Sequence, residues 1–314
     1  MKAMLLAEPP QTPILLERDI PSPQLGPGEV LVRVFAAGVT PTELSWYPTS
    51  HRKNGEPRTG AVPCHEFSGE IAGIGDGATG LSIGQEVYGM NDWFADGALA
   101  EYCVTQPDWI APKPRRLSHP EAASVPIGAL TAWQGLFDKA KLQPGEHVLV
   151  HGGAGAVGIF AIQLARSRGA HVATTVSAHN FEFVKSLGAT QVIDYKALRF
   201  EKEVREIDVV FDTVGGDTLR RSWDVLRHGG RMVTIAADSE NTLDERERQA
   251  FFIVEPNRQQ LIEITRRLDA GELQAAVDSI LPFPQAGEAF TGAFQKKGRG
   301  KLVVTLLELV RSSP

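Results

Sequence analysis

Cysteine, long apolar runs and basic tracts are all scarce in this chain. Its 314 residues contain 2 cysteines, too few for a disulfide framework and typical of a reducing compartment such as the cytoplasm. No stretch approaches the roughly 18 uninterrupted apolar residues of a membrane-spanning helix, and the apolar start Met1–Leu6 is too short for a signal peptide. The formal net charge is −6 and Lys and Arg are dispersed, which argues against nucleic-acid binding. We therefore expect a cytoplasmic protein without a membrane or nucleic-acid partner.

Glycine, in contrast, is concentrated at one turn. Gly153, Gly155 and Gly158 satisfy the spacing G-x-G-x-x-G directly after His147–His151, a run that predicts a short buried strand. The residues that follow form an apolar helical face. This strand, turn and helix order sets a pyrophosphate against the backbone N–H groups of a helix N-terminus. The order predicts dinucleotide binding through Gly153, Ala154, Gly155, Ala156 and Val157. The alternative is a glycine-rich turn that binds no ligand.

The end of the next predicted strand, Val172–Val176, carries no carboxylate. NAD-binding proteins usually place Asp or Glu there, where it binds the ribose 2′-hydroxyl. The residues present include Ser177, His179 and Asn180, which can donate hydrogen bonds to a 2′-phosphate that an acid would repel. We therefore predict NADP(H) with contacts from these three side chains, although no arginine stands near them in the sequence.

Strand and helix patterns alternate through the remainder of this half of the chain. Strands are predicted at Gln191–Asp194, Ile207–Asp212 and Arg231–Ala236, with helices of roughly 10–15 residues between strands, which indicates a doubly wound parallel sheet. Ligands of such sheets lie beyond the carboxyl ends of the strands. This rule places Val214 and Ala236 beside the nicotinamide end of the cofactor.

The two ends of the chain have a different pattern. The first 115 residues alternate short apolar runs with Pro and Gly, which predicts an antiparallel β assembly. The length predicts two domains, with a border near Leu117. The tail predicts helices within Pro256–Ala270 and Phe283–Phe294 and a strand at Lys301–Leu307. The predicted N-terminal strands are Lys2–Leu6, Glu29–Ala37, Phe67–Ile74, Glu86–Met90 and Leu99–Val104.

The order of these motifs resembles the medium-chain dehydrogenase/reductase superfamily across nearly the whole chain. Matching segments are 25–32, 38–43, 62–69, 84–89, 130–133, 152–158, 187–189, 192–195 and 300–304. The resemblance implies an α/β fold in which a Rossmann NADP-binding domain, residues 118–256, is inserted in a GroES-like β-rich catalytic domain, residues 1–117 plus 257–314. It also implies a substrate cleft between the domains and a cofactor contact at Tyr195. A homodimer through an exposed sheet edge is expected as well, with Phe251–Val254 as the strand near that edge.

Zinc divides this superfamily. Its zinc-dependent alcohol dehydrogenases use a Cys after Gly-(Ile/Val), the His of Gly-His-Glu and a later Cys or acid. Here the first position is Thr40 and the third falls near Ile127, so only His65 and Glu66 remain. A catalytic zinc needs three protein ligands, so the resemblance implies no metal and points to the zinc-independent quinone oxidoreductase-like branch. We therefore predict that His65 and Glu66 form a hydrogen-bonded structural pair, with a catalytic role as the alternative.

The resemblance to zinc-independent members of the superfamily implies that this chain is a reductase. NADPH can deliver hydride to a quinone or an α,β-unsaturated carbonyl compound whose oxygen is held by hydrogen-bond donors, each worth about 3 kcal/mol. The candidate donors in the matching segments are Thr42, Tyr47 and Thr131, together with Thr40, where family members often carry Asn. The alternatives are an enoyl or alcohol/carbonyl reductase of the same superfamily and a non-catalytic NADPH-binding protein.

Overall fold

The computed structural model describes residues 1–7, 14–292 and 297–306. In chain order, the strands of these residues are β1 Lys2–Leu6, β2 Leu15–Asp19, β3 Val30–Val39, β4 Glu66–Ile74, β5 Glu86–Met90, β6 Tyr102–Thr105, β7 Ile110–Pro112, β8 His147–His151, β9 His171–Val176, β10 Gln191–Asp194, β11 Ile207–Asp212, β12 Leu226–Thr234, β13 Val277–Pro282 and β14 Lys301–Thr305.

Helices connect most of these strands. The α-helices are α1 Tyr47–Ser50, α2 His119–Ala123, α3 Pro126–Trp133, α4 Gly158–Ser167, α5 Phe181–Leu187, α6 Phe200–Glu203, α7 Gly216–Ser222, α8 Glu245–Ala250, α9 Arg258–Ala270 and α10 Ala286–Thr291. A π-helix covers Gln134–Lys139. Short 3-10 helices cover Pro41–Ser45, Pro107–Trp109, Ala178–Asn180, Trp223–Val225, Ala237–Ser239 and Phe283–Gln285. Among the described residues, no helix is both long and apolar enough to span a membrane.

The chain divides into two compact units. The first consists of Met1–Ile127, Pro256–Lys297 and the segment from Lys301 onward, and the second of Gly128–Glu255 with Gly298–Gly300. The border therefore lies after Ile127 and not near Leu117. The physical reason is packing, because α2 contacts β3 and β4 of the first unit. The backbone N–H of Ile127 also donates to the Glu66 carboxylate of that unit at 2.8 Å.

The first unit is built on a sheet with the strand order β13-β14-β3-β4-β5-β7, to which β6 adds by pairing with β3. All of these pairs are antiparallel except β13–β14. A core of side chains such as Val32, Phe67 and Ile71 is fully buried against the sheet. The antiparallel β assembly predicted from the sequence is present, but β2, β7 and β13 were not predicted, and the predicted strand Leu99–Val104 is shifted to Tyr102–Thr105.

The second unit is built on a sheet of five strands in the order β10-β9-β8-β11-β12, and all of its strand pairs are parallel. The predicted doubly wound parallel sheet is therefore present, with β12 at one edge. The predicted strand Phe251–Val254 is wrong as a strand, because it forms only an isolated bridge from Phe251 to Thr234. Its residues alternate in burial, since Phe252 and Val254 are buried and Ile253 is 49% exposed.

The tail follows the predicted pattern closely. Helix α9 begins after Asn257, whose side chain accepts a hydrogen bond from the Gln260 N–H, and it ends at Gly271, which has a left-handed φ of 74°. The helix predicted within Phe283–Phe294 is the shorter α10, preceded by a 3-10 turn. The predicted ends at Phe294 and Leu307 lie outside the described residues.

Candidate functional site

The glycine turn after β8 leaves one open face. A Cβ on Gly153 would lie 2.0 Å from the Thr174 hydroxyl, and one on Gly158 would lie 2.3 Å from the Gly152 carbonyl oxygen. The fold therefore requires both of these glycines. Gly155 differs, because a Cβ there would meet only the Gly152 oxygen, at 3.3 Å, and the residue is exposed. The space in front of Gly155 is open to a ligand.

Helix α4 starts directly behind this face. Its N-cap residue is Val157, and no side chain caps the first turn. The first N–H groups of a helix have no partner within the helix, and they form a site for anions. The turn and the uncapped helix start therefore fit the pyrophosphate of a dinucleotide. The individual contacts at Gly153, Ala154, Gly155, Ala156 and Val157 stay predictions.

The loops after β11 and β12 meet beside each other. The buried Asp212 carboxylate accepts hydrogen bonds from the Gly215 N–H at 2.9 Å and from the Thr234 hydroxyl at 2.8 Å. Burial raises the pKa of Asp212. A Cβ on Gly215 would lie 2.5 Å from the Ala236 Cβ, and Val214 is 55% exposed. The structure thus brings together the two predicted nicotinamide contacts, Val214 and Ala236.

The same loops are tied to the glycine turn. The Thr213 hydroxyl donates to the His151 carbonyl oxygen at 2.8 Å. The His151 ring lies 3.0 Å from the Thr175 hydroxyl and 2.9 Å from the Ser222 hydroxyl. Burial lowers the pKa of His151 to about 3, so the ring is neutral at pH 7. His151 is therefore a structural support beneath the predicted cofactor site.

The polar residues after β9 gather around an arginine that is distant in sequence. Arg299 donates from Nε to Asn180 Oδ1 and from a terminal nitrogen to the His179 carbonyl oxygen, both at 2.8 Å. The Asn180 amide also donates to the Gly298 oxygen at 3.3 Å, and the Ser177 hydroxyl lies 3.2 Å from His179 Nδ1. Asn180, which was predicted to contact the cofactor, is only 4% exposed, and its side chain holds Arg299 in place. Ser177, His179 and Arg299 are the other polar residues that follow β9 or lie against it.

Sequence reasoning missed Arg299 because 119 residues separate it from Asn180. The available signal was a basic residue between two glycines, Gly298 and Gly300, directly before β14. Tyr195 lies at the same sheet edge, since its neighbour Asp194 pairs with Val176 at the end of β9, and it is 58% exposed. Tyr195 is therefore exposed beside the carboxyl end of β9, and its contact with the cofactor stays a prediction.

The first unit contains a buried charge pair next to Thr40. The Lys301 ammonium lies 2.5 Å from Glu66 Oε1 and donates to the Thr40 hydroxyl oxygen at 2.9 Å. Lys301 is 5% exposed and Glu66 is fully buried. Burial raises the pKa of Glu66, and the lysine charge opposes that shift. Glu66 Oε2 accepts from the Ile127 N–H, so both carboxylate oxygens are engaged.

His65 has partners of its own. Its Nδ1 lies 3.3 Å from Glu43 Oε2 and its Nε2 lies 3.2 Å from the Ala95 carbonyl oxygen. The preceding Cys64 has a left-handed φ of 66°, which accounts for the glycine usual at this position in the resembled family. Burial raises the pKa of the Cys64 thiol well above its usual range. His65 and Glu66 thus belong to two separate hydrogen-bonded groups.

These contacts test whether the residues fit a catalytic zinc. Thr40 at the first ligand position holds an ammonium, both ring nitrogens of His65 are engaged, and Ile127 at the third position has no ligand atom. Across the part of the chain that the structure describes, no group of three or more His, Cys, Asp or Glu side chains is placed to hold a metal ion. The donor set does not fit zinc.

The predicted hydroxyl donors differ in their surroundings. Thr42 is exposed, and its carbonyl oxygen accepts from Ser45. Tyr47 is 55% exposed, and its ring is stacked on His51 with centroids 4.3 Å apart. Thr131 lies within α3 of the second unit and is 2% exposed. The donor roles of these three residues stay predictions.

Two protein families match the chain. Residues 26–115 match the family described as "Alcohol dehydrogenase GroES-like domain". Residues 187–304 match the family described as "Zinc-binding dehydrogenase".

Individual proteins are similar over nearly the whole length. The "Probable zinc-binding oxidoreductase, mitochondrial" of Arthroderma benhamiae is 32% identical over 95% of each chain. The "2-methylene-furan-3-one reductase" of Solanum lycopersicum is 31% identical over 92% of this chain and 74% of its own. Among solved structures, the quinone oxidoreductase of Coxiella burnetii superimposes with a TM-score of 0.85 at 30% identity, covering 98% of this chain and 99% of its own.

Proposed function

Because the chain belongs to the medium-chain dehydrogenase/reductase superfamily and is an oxidoreductase that uses a nicotinamide cofactor, we propose that it reduces quinones or α,β-unsaturated carbonyl compounds with NADPH and without zinc. The fold that the resemblance implied is confirmed, since a GroES-like domain accompanies a parallel Rossmann-like sheet.

The observation that carries the proposal is the state of the three zinc positions in the first unit. A lysine ammonium contacts Thr40, hydrogen-bonded partners surround His65, and Ile127 has no ligand atom. Without a Lewis acid, a saturated alcohol has nothing to stabilise its developing alkoxide. A conjugated acceptor needs less help, because hydrogen-bond donors suffice to hold the charge that develops on its oxygen. The donor set therefore favours quinone or enone reduction over alcohol oxidation.

The choice of NADPH is supported by the residues beyond β9. A carboxylate is absent from positions 177–180, and Arg299 is held against His179 and Asn180. Arginine binds phosphate with charge-assisted hydrogen bonds, and its planar group suits phosphate geometry. We propose that Arg299, Ser177 and His179 bind the adenosine 2′-phosphate, with Tyr195 beside it. The pyrophosphate would lie on Gly155–Val157, and the nicotinamide near Val214 and Ala236.

The proposed chemistry conserves charge and atoms in two steps. The β-carbon of the enone accepts hydride from NADPH, the π electrons of the C=C bond shift to form an enolate, and negative charge develops on the carbonyl oxygen. A proton from the solvent then adds at the α-carbon, and the products are the saturated carbonyl compound and NADP⁺. The chain contributes groups that hold the carbonyl oxygen. Thr42, Tyr47 and Thr131 remain candidate donors for this step, beside Thr40.

The names of two similar proteins support quinones and α,β-unsaturated carbonyl compounds as the substrate class. One relative is named for reduction of a methylene ketone and a solved structure is named a quinone oxidoreductase. The Arthroderma relative is named as zinc-binding and mitochondrial, and elemental analysis tests whether this chain holds zinc. The cytoplasmic location of this chain stays a prediction.

A substrate panel tests the proposal. After exhaustive chelation and elemental analysis, the protein is assayed with NADPH and with NADH against an ortho-quinone, an alkenal and the matching saturated aldehyde. We expect turnover of the quinone or the alkenal with NADPH, undiminished by chelation. One zinc per chain, with activity lost on its removal, would contradict metal-free chemistry. Turnover of the saturated aldehyde alone would indicate a carbonyl reductase, and NADPH binding without any turnover a non-catalytic protein.

A further inference from the structure

The Lys301 ammonium imposes an orientation on the Thr40 hydroxyl. A lysine ammonium can only donate hydrogen bonds, so in the 2.9 Å contact the threonine oxygen must accept. The hydroxyl proton of Thr40 therefore points away from the lysine. Among the described residues the hydroxyl makes no other hydrogen bond, and Thr40 is half-buried at the end of β3. Its proton is available to an acceptor outside the chain.

The lysine that sets this orientation is itself fixed. Glu66 holds it at 2.5 Å, and the Ile127 N–H fixes the other oxygen of that carboxylate at 2.8 Å. Gly38 provides the space, because a Cβ there would lie 2.6 Å from Glu66 Oε1. A buried lysine paired with a buried carboxylate is costly to rearrange, so the ammonium stays beside Thr40. Together, Gly38, Glu66 and Lys301 preorganise one hydroxyl.

We propose that the Thr40 hydroxyl donates the hydrogen bond that holds the substrate carbonyl oxygen, and that Lys301 is the positioning residue that orients this hydroxyl. The proposal rests on the proposed function, because it supplies the donor that enone or quinone reduction requires. The bond from an ammonium polarises the hydroxyl, since hydrogen bonds in a chain strengthen one another. The charge that a metal supplies in zinc enzymes is supplied here by a lysine acting through a threonine.

Matched substitutions of Thr40 test the donor. Thr40→Val keeps the side-chain shape and removes the hydroxyl, whereas Thr40→Ser keeps the hydroxyl. We expect Thr40→Val to lower kcat by about 100-fold, the typical loss for one donor to a developing oxyanion, and Thr40→Ser to keep most of the turnover. The Kd of NADPH should not change in either variant. Wild-type turnover in Thr40→Val, with thermal melting unchanged, would overturn the assignment.

A second series tests the role of Lys301. Lys301 is removed together with its partner, as Lys301→Met with Glu66→Gln, because a lone buried carboxylate could unfold the protein. We expect about a 10-fold fall in kcat with an unchanged Kd of NADPH, since the Thr40 hydroxyl loses the charged donor that orients and polarises it. Adding Thr40→Val should bring kcat only to the level of Thr40→Val alone, because both changes act through one hydroxyl.

Three results would contradict this coupling. A fall in the combined variant of about 1,000-fold, the product of the separate effects, would mean that the lysine acts independently of Thr40. A raised Kd of NADPH with unchanged kcat would assign Lys301 to the cofactor. Wild-type protein that reduces no carbonyl compound would overturn the proposed function and this inference together. If it reduces only saturated aldehydes, the proposed function fails, and the same variants still decide the role of Thr40.

Discussion

Replacing Arg299 by Gln should abolish the proposed preference for NADPH while leaving NADH binding unchanged. The change removes the charge and keeps a side chain of similar length. In the structure the guanidinium is oriented by bonds to Asn180 Oδ1 and the His179 carbonyl oxygen, both at 2.8 Å. These contacts hold it beside His179, whose ring lies 3.2 Å from the Ser177 hydroxyl. The 2′-phosphate of NADPH is proposed to bind there, where NADH carries only a hydroxyl.

The size of the effect follows from the type of interaction. A hydrogen bond to a charged group contributes about 1.5–3 kcal/mol. Arg299 is exposed, so solvent and salt screen the interaction, and the lower end of that range applies. A loss of about 1.5–2 kcal/mol corresponds to a rise in the Kd of NADPH of roughly 10- to 30-fold.

Isothermal titration calorimetry with both cofactors at one ionic strength measures the change. Lys185→Gln is the matched control, because Lys185 is an exposed cation on α5 that pairs with Glu182 at 2.9 Å. This control should change neither Kd. An equal rise for NADPH and NADH in Arg299→Gln would refute the reasoning, because it would place the arginine at a part shared by both cofactors. An unchanged Kd for NADPH would refute it as well.

Three further predictions concern the second unit and the assembly. Gly155→Val should abolish cofactor binding by calorimetry without lowering the melting temperature, whereas Gly158→Ala should cost about 1–3 kcal/mol of stability, because its Cβ would lie 2.3 Å from a carbonyl oxygen. Buried His151 has a pKa of about 3, so the unfolded chain binds its proton first as the pH falls. Urea unfolding should show a stability loss of about 2 kcal/mol from pH 7 to pH 5 that His151→Gln reduces. Light scattering at micromolar concentration should give a homodimer; a monomeric mass would contradict this proposal.

The sequence was sufficient to predict features that depend on local patterns. The apolar run His147–His151 and the glycines after it predicted a buried strand and a tight glycine turn, because both signals are local. The alternation of strands and helices predicted the parallel sheet for the same reason. The domain boundary was predicted less accurately, because packing decides where it lies. Helix α2 contacts the first unit, so the boundary lies after Ile127 and not near Leu117.

Features that depend on distant parts of the chain were not predictable in this way. Arg299 reaches Asn180 across 119 residues, and Lys301 reaches Thr40 across 261. No periodicity or motif spacing encodes such pairs, because they depend on where the tail runs in the fold. The left-handed backbone of Cys64 is another example, since the residue type itself does not favour that conformation.

The fate of a labelled hydride tests the central claim most directly. Chelated protein is supplied with NADPH that carries deuterium at the transferable C4 position and with an alkenal, and the product is examined by NMR. We predict that deuterium is found on the β-carbon of a saturated aldehyde. Deuterium on the former carbonyl carbon of an unsaturated alcohol, or transfer only after zinc is restored, would contradict metal-free reduction of a conjugated double bond.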